Sequence, residues 1–383
     1  MARKTYQSRS PQRPTPAVPA REGRDSQRIQ GAPPAKPDIE GPLDKVGAFA
    51  RDMIVPHLEK LESMQGYPVL AYYMADNAGM ADEQMVHLYG HLRRLGHQPH
   101  LGLWVYSRGG ATEVPWKMIS LLRQFADRLS VLIPYRANSA ATLLALGADE
   151  IVMTELAELG PIDPTRRHPL LPAEEVDGKK NPIPISVQDL RHLLTFLKRE
   201  MGEPTPEAAA TVYSALFGLV HPLAIGALEQ SWGLSRQVAA NALATHMDAV
   251  ADKPRIDAIV EALSDSYKSH LYQISRTEAR ALGLPVTDAE EQLADAMLAL
   301  WWAYQNMTVE VDGEIAGKPA KGSRVGHIDS GKGTSIGVAM AVVADSSQGV
   351  VNWQSVWSDP AGQAESPDRS LAEAAGGPEP PQA

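Results

Sequence analysis

Residues 129–153 read LSVLIPYRANSAATLLALGADEIVM. The stretch divides into an apolar run of strand length at 129–135, a helix over 139–146 and a second short strand at 150–153. Short apolar runs bounded by polar residues are strands buried on both faces. The same rhythm lies upstream. Residues 68–75 (PVLAYYMA) read as a strand, and 81–95 sets Met85, Leu88, Leu92 and Leu95 at helical spacing. Another strand at 100–107 (HLGLWVYS) precedes a helix over 112–125. Strand and helix in alternation predict right-handed βαβ units, and so an α/β fold with a largely parallel sheet. In such sheets ligands and chemistry gather at the carboxyl ends of the strands.

Outside this block the pattern changes. From about 187 to 268 it is mostly helical, and from 307 (VEVDGEIAGK, then SIGVAMAVVADS and GVVNWQSVW) it alternates again, predicting a small C-terminal β element. Residues 1–40 and 358–383 are rich in Pro, Gln, Ala, Gly and charged residues and hold few large apolar side chains, so they are expected to be disordered tails. The expected organisation is a main domain over 41–300 carrying a helical insertion, then the β element over 301–357.

A formal charge of −10 argues against a protein that coats nucleic acid, which needs a clustered surplus of Lys and Arg. With no cysteine, thiolate catalysis, disulfides and cysteine metal sites are excluded. The histidines fall at no metal-ligand spacing, and there is neither H-E-x-x-H nor a P-loop, so no metal or cofactor is expected. The basic residues near the start are followed by no apolar run, so no signal peptide or transmembrane segment is expected and the reading is cytoplasmic.

Two local features carry chemistry. After the second strand comes Ser107-Arg108-Gly109-Gly110. Adjacent glycines at a strand's carboxyl end allow φ > 0 and a bare backbone whose N–H groups can face a substrate oxygen, as in an oxyanion hole. A glycine pair is also an ordinary tight turn. After the third strand comes Ala137-Asn138-Ser139-Ala140-Ala141, opening a helix. A serine in the first turn sits where the N–H dipoles favour an alkoxide, and its alanine neighbours would let a substrate backbone approach. The same serine could simply cap the helix. Together the two features would bring nucleophile and oxyanion donors to neighbouring strand ends, as acyl transfer requires.

At these residues the chain resembles a known family. YSRGG (106–110), IPYRANSAATLLALGADEIVMTELAELGPIDPT (133–165) and SHLYQISRTEARALGLPV (269–286) are similar to the signal peptide peptidase A and serine dehydrogenase proteinase families of the Clp-protease/crotonase superfamily. The resemblance implies a Clp-protease/crotonase-like fold and a serine endopeptidase with Ser139 as nucleophile and Gly109 and Gly110 as oxyanion-hole glycines. It also implies that Gly160 and Pro161 border a groove for an extended peptide or protein substrate, and that the chain forms a homo-oligomer. The base is less direct. A Clp-type histidine would stand near Ile162 or Asp163, where there is none, and His168 lies five residues beyond. Relatives that use a lysine place it forty to fifty residues after the serine, and Lys180, beside Lys179, lies 41 residues after Ser139. A lysine acts as a base only if desolvation or nearby positive charge lowers its pKa. His221, His246 and His270 read as capping or core histidines, and Trp301 with Trp302 as packing. Two alternatives stay open: a crotonase-like acyl-CoA enzyme, and a catalytically silent scaffold that binds extended peptides.

Overall fold

The computed structural model describes residues 42–176, 179–202, 205–307, 310–315, 318–342 and 345–357. The two tails expected to be disordered lie outside these residues. In chain order the first elements are α1 (Pro42–Gln65), β1 (Val69–Met74), α2 (Gln84–Leu95), β2 (Gln98–Tyr106), α3 (Val114–Leu122), β3 (Ala126–Ile133), β4 (Arg136–Ala137), α4 (Ala140–Ala145), β5 (Glu150–Met153) and β6 (Glu158–Leu159). The middle of the chain forms β7 (Thr165–Arg166), β8 (Ala173–Val176), β9 (Lys179–Pro182), β10 (Ile185–Ser186), α5 (Val187–Met201), α6 (Pro206–Leu219), α7 (Pro222–Leu243) and α8 (Lys253–Glu261). The last are β11 (Ile274–Ser275), α9 (Arg276–Ala281), β12 (Val286–Asp288), α10 (Glu291–Asn306), β13 (Glu310–Ile315), β14 (Lys318–Ser330), β15 (Gly333–Val342) and β16 (Asp345–Trp357).

The fold is α/β. Strands β12, β5, β3, β2 and β1 lie side by side and parallel, joined by helices, as the alternating pattern predicts. Both faces of this parallel core are covered, which is why β1 and the buried stretches of β2 (Leu101–Tyr106) and β3 (Leu129–Ile133) are apolar but for Ser130. Leu70, Tyr72 and Met74 of β1 point to the face covered by α2, α3, α4, α7 and α8, while Val69, Ala71 and Tyr73 point to the face covered by α1 and α10. This period of two is the pleat of a strand. The C-terminal strands continue the same sheet: β14 pairs antiparallel with β1, and β15 and β16 follow.

A smaller parallel pair leaves the main sheet at its carboxyl end. β4 runs beside β6 and β11 closes the other side of β6, giving the order β11-β6-β4. Ser107 bridges to Ala137 in parallel, so the chain beyond β2 is tied to β4. That tie brings the glycine pair to the start of α4.

Candidate active site

Ser139 stands immediately before α4 with φ 53° and ψ −116°, and among the described residues no other non-glycine has a positive φ. This is the conformation of the first central residue of a type II′ turn, a place dominated by glycine because a Cβ is strained there. Hydrogen bonds on both sides over-determine it. Asn138 N–H donates to the Ser107 carbonyl at 3.0 Å, and the Ser139 carbonyl accepts from Leu143 N–H at 3.1 Å. The half-buried Ser139 hydroxyl caps nothing, and no hydrogen bond to it is made by any described residue. Capping is therefore not its role here.

Gly109 lies against this serine. A Cβ on Gly109 would come within 2.9 Å of the Ser139 Cβ and 3.0 Å of the Ala140 nitrogen. Its φ of 108° also belongs to the region that favours glycine. The two glycines differ in what they offer. The Gly109 N–H donates to the buried Ser107 hydroxyl at 3.1 Å, so it is occupied within its own loop. This corrects the expectation that both glycines present N–H groups. Gly110 is exposed and forms a parallel bridge with Met80 through its neighbours: Met80 N–H donates to the Gly109 carbonyl at 2.8 Å, and Ala111 N–H to the Met80 carbonyl at 2.9 Å. In a parallel bridge of this kind the central residue's own N–H and C=O point the other way. No described residue bonds either of them. Gly110 N–H and the first helical N–H, Ala140, are thus open donors beside Ser139.

The residues expected to border a groove are placed differently. Gly160 and Pro161 are buried. The Thr142 hydroxyl accepts from Gly160 N–H at 3.0 Å and has the carbonyls of Ala137, at 2.8 Å, and Gly160, at 2.9 Å, as acceptors for its one proton. Gly160 packs under Ser139, where a Cβ would come within 3.1 Å of the Asn138 Cβ and 3.3 Å of the Ser139 nitrogen. β6, which leads into Gly160, has neighbours on both edges and so offers no free edge to a peptide. The free backbone edge beside Ser139 is that of Gly110. Ala137, Ala140 and Ala141 are likewise buried, so their smallness serves packing and not the approach of a ligand.

Charge beside the site is held in pairs. Arg136 and Glu158 form a largely buried ion pair at 3.0 Å across β4 and β6, with Asn138 Nδ2 donating to the same carboxylate at 3.3 Å. Asn138 Oδ1 is buried with no partner. On the other side Asp76 accepts from the Tyr106 hydroxyl at 2.7 Å and pairs with Arg108 at 3.3 Å. Burial, followed by that bond to Asp76, pushes the Tyr106 hydroxyl pKa up and keeps it protonated.

The candidate bases fall far apart in character. Lys180 lies on β9, opposite Glu175 of β8, and is exposed. The desolvation that a lysine base requires is absent at this position. His168 accepts from Leu170 N–H at 3.2 Å through Nδ1, a local loop bond. His270 is different. Its Nδ1 lies 3.0 Å from Oδ1 of Asp163, a carboxylate only 7% exposed. Asp163 follows Gly160 by three residues, hence within about 11 Å of it along the chain. This carboxylate–imidazole pair, which orients the ring and fixes its tautomer, is the group that reading the sequence passed over. The signal for it is Asp163 itself, in the GPID turn. Its partner comes from the turn before β11, where Tyr272 N–H donates to the Ser269 carbonyl at 3.0 Å. A cavity of about 220 Å³ opens beside the pair and is also lined by His192, Lys268 and Asp189. Among the described residues no group of three or more acidic or histidine side chains could hold a metal.

Comparison with known proteins finds no matching family model. Two uncharacterized proteins of Methanocaldococcus jannaschii are 36% and 34% identical over 64 residues, which is 17% of this chain. The chain spans about a fifth of the length of these curated relatives, 22% in each case. Among solved structures, a serine-to-alanine mutant of the 1510-N membrane-bound stomatin-specific protease superposes with a TM-score of 0.33 at 11% identity, covering 62% of this chain and 88% of that one. A lysine-to-alanine mutant of the same protease in complex with a substrate peptide gives 0.32 at 11% identity, covering 63% and 81%. An enoyl-CoA hydratase/isomerase family member gives 0.27 at 12% identity, covering 63% and 77%.

Proposed function

We propose that this chain is a serine peptidase that forms an acyl-enzyme on Ser139. The observation that carries the reading is the backbone of Ser139, held at φ 53° with its hydroxyl uncommitted. Strain of this kind persists only where the surroundings enforce it, and it concentrates at reactive groups. In the reaction Ser139 Oγ attacks a peptide carbonyl and gives up its proton to a base. The N–H groups of Gly110 and Ala140 stabilise the resulting oxyanion. The protonated base releases the amine, and water then resolves the ester. The substrate lies extended along Gly110, whose free N–H and C=O read backbone and not sequence.

Two side chains compete for the role of base. Lys180 has the family-like spacing, and to serve it must be carried out of water by a movement of the β8–β9 hairpin. His270 is already oriented by Asp163. A fluorophosphonate probe tests both levels of the proposal. Ser139→Ala must abolish labelling, and labelling elsewhere in the chain, or none in the wild type, refutes the nucleophile. Lys180→Met and His270→Ala then separate the bases, the true one lowering the labelling rate by roughly 10²-fold or more. A second reading, a silent scaffold for extended peptides, draws on the fact that Ser139 Oγ bonds to no described residue. It predicts peptide binding with no labelling.

A further inference from the structure

Helix α6 is apolar and yet buries none of its side chains. Its ends are well specified, with Thr205 capping the Ala208 N–H at 3.3 Å and Pro206 in the first turn. Even so, a helix of 14 residues is marginal on its own in water, and most helices of this length depend on packing an apolar face. Residues 208–228, AAATVYSALFGLVHPLAIGAL, hold no Asp, Glu, Lys or Arg. The inner side of the elbow between α6 and α7 packs through Val220, Ala224 and Leu228 onto Leu171 and Val187. Its outer side is open: Tyr213 and Phe217 stack on one another at 6.2 Å, Leu219 is 75% exposed and Leu223 69%.

We propose that this elbow is a self-association surface, covered by the same elbow of a second copy of the chain. Three observations select that occupant. The first is area. The four large side chains of the elbow, 47% to 75% exposed, offer roughly 450 Å² of apolar surface, over half of the ~800 Å² that each partner contributes to a standard interface. The second is charge. An uncharged patch can face itself about a two-fold axis without setting like charges opposite each other, which a self-complementary interface demands. The third separates a second copy from a lipid surface. Taken together α6 and α7 are apolar enough to enter a membrane, as a pair bent by 90°. Yet residues 187–229 hold three cations (Arg191, Lys198, Arg199) against five acids (Asp189, Glu200, Glu203, Glu207, Glu229), a balance of −2 in a chain of net charge −10. Helices that lie in membrane interfaces carry the opposite balance.

The chain has no cysteine, which makes the test direct. Phe217→Cys in the full chain is expected to crosslink to itself on mild oxidation, while Val250→Cys, at a position 86% exposed elsewhere, does not. Sedimentation velocity at micromolar concentration is expected to give the wild type as a dimer or a multiple of one, and Phe217→Glu as a species of half that mass. Circular dichroism reports whether that variant is folded, and Leu219→Ser, which replaces a side chain in open solvent, repeats the measurement with a milder change. A monomeric wild type overturns the proposal, as does a mass that neither substitution changes. So does a monomer that co-sediments with phosphatidylcholine vesicles and loses that binding with Phe217→Glu. None of these readouts depends on Ser139.

Discussion

Replacing Ser139 by glycine and by alanine separates what its backbone does from what its hydroxyl does. Both variants lose Oγ, which in this structure bonds to no described residue, so that loss cancels between them. Only glycine releases the strain of φ 53° and ψ −116°, which costs on the order of 1–3 kcal/mol for a residue with a Cβ. Against that gain stands the extra freedom of glycine in the unfolded chain, about 0.5–1 kcal/mol. The half-buried Cβ that glycine also deletes is worth roughly 0.4 kcal/mol, half the value of a fully buried methylene. The balance is about 1 kcal/mol in favour of Ser139→Gly over Ser139→Ala. Urea unfolding followed by tryptophan fluorescence measures it as a higher midpoint at an unchanged slope. If Ser139→Gly is no more stable than Ser139→Ala, the backbone at this point stores no strain. The fold then does not force a serine into glycine's conformation.

Gly110→Ala tests the other half of the site. Its new Cβ would come within 2.2 Å of the Met80 nitrogen and 2.5 Å of the Met80 oxygen, backbone atoms that hold the bridge, so the expected cost is roughly 2–4 kcal/mol in urea midpoint together with loss of probe labelling. Gly226→Ala, inside α7 with nothing within 4 Å, is the control and is expected to gain roughly 0.5–1 kcal/mol. Burial raises the pKa of Asp329 to about 8; its carboxyl accepts from the Tyr304 hydroxyl at 2.6 Å and is bonded by Thr334. The unfolded carboxyl titrates near 4, so between about pH 4 and 8 the native state holds one proton more, and stability falls as pH rises, by on the order of 1 kcal/mol per pH unit. His327 and His91, which burial holds neutral, act with the opposite sign only below about pH 6.5, so the window from 6.5 to 8 isolates the carboxyl. There Asp329→Asn is expected to flatten the slope, and an unchanged slope refutes a neutral Asp329.

The parallel core is legible in the sequence because what specifies it is local. A strand covered on both faces must be apolar at nearly every position, and the runs at 68–75 and, but for Ser130, at 129–135 meet that requirement without reference to any other part of the chain. The place of Ser139 is legible for the same reason, since a small-residue turn between a strand and a helix announces itself. Its backbone angle is not, because a serine before a helix is as well suited to capping as to strain, and only the bonds of Asn138 and Leu143 decide between them. The division of labour within the glycine pair turns on the Ser107 hydroxyl, which claims the Gly109 N–H and leaves that of Gly110 free. Likewise the alternating pattern after 307 announces strands but not that β14 joins β1, because edge and centre differ only in the partner they find.

The base shows where sequence spacing loses its force. Lys180 lies 41 residues after Ser139, and that interval suits a lysine base only if the intervening chain returns the side chain to Ser139 and strips it of water. Here the interval is taken up by a hairpin, β8 and β9, that presents Lys180 to solvent opposite Glu175. His270 stands 107 residues from Asp163, an interval that suggests nothing. Yet β11 pairs antiparallel with β6, and β6 leads directly into the glycine beneath Ser139. Ile274 is thereby set beside Leu159, and the turn before it, closed by the bond from Tyr272 N–H to the Ser269 carbonyl, brings His270 to Asp163. The His270 ring is already oriented by Asp163, whereas Lys180 would have to leave solvent to act. Loss of labelling in His270→Ala, with Lys180→Met unaffected, would therefore mean that the site is assembled in the folded chain before substrate arrives.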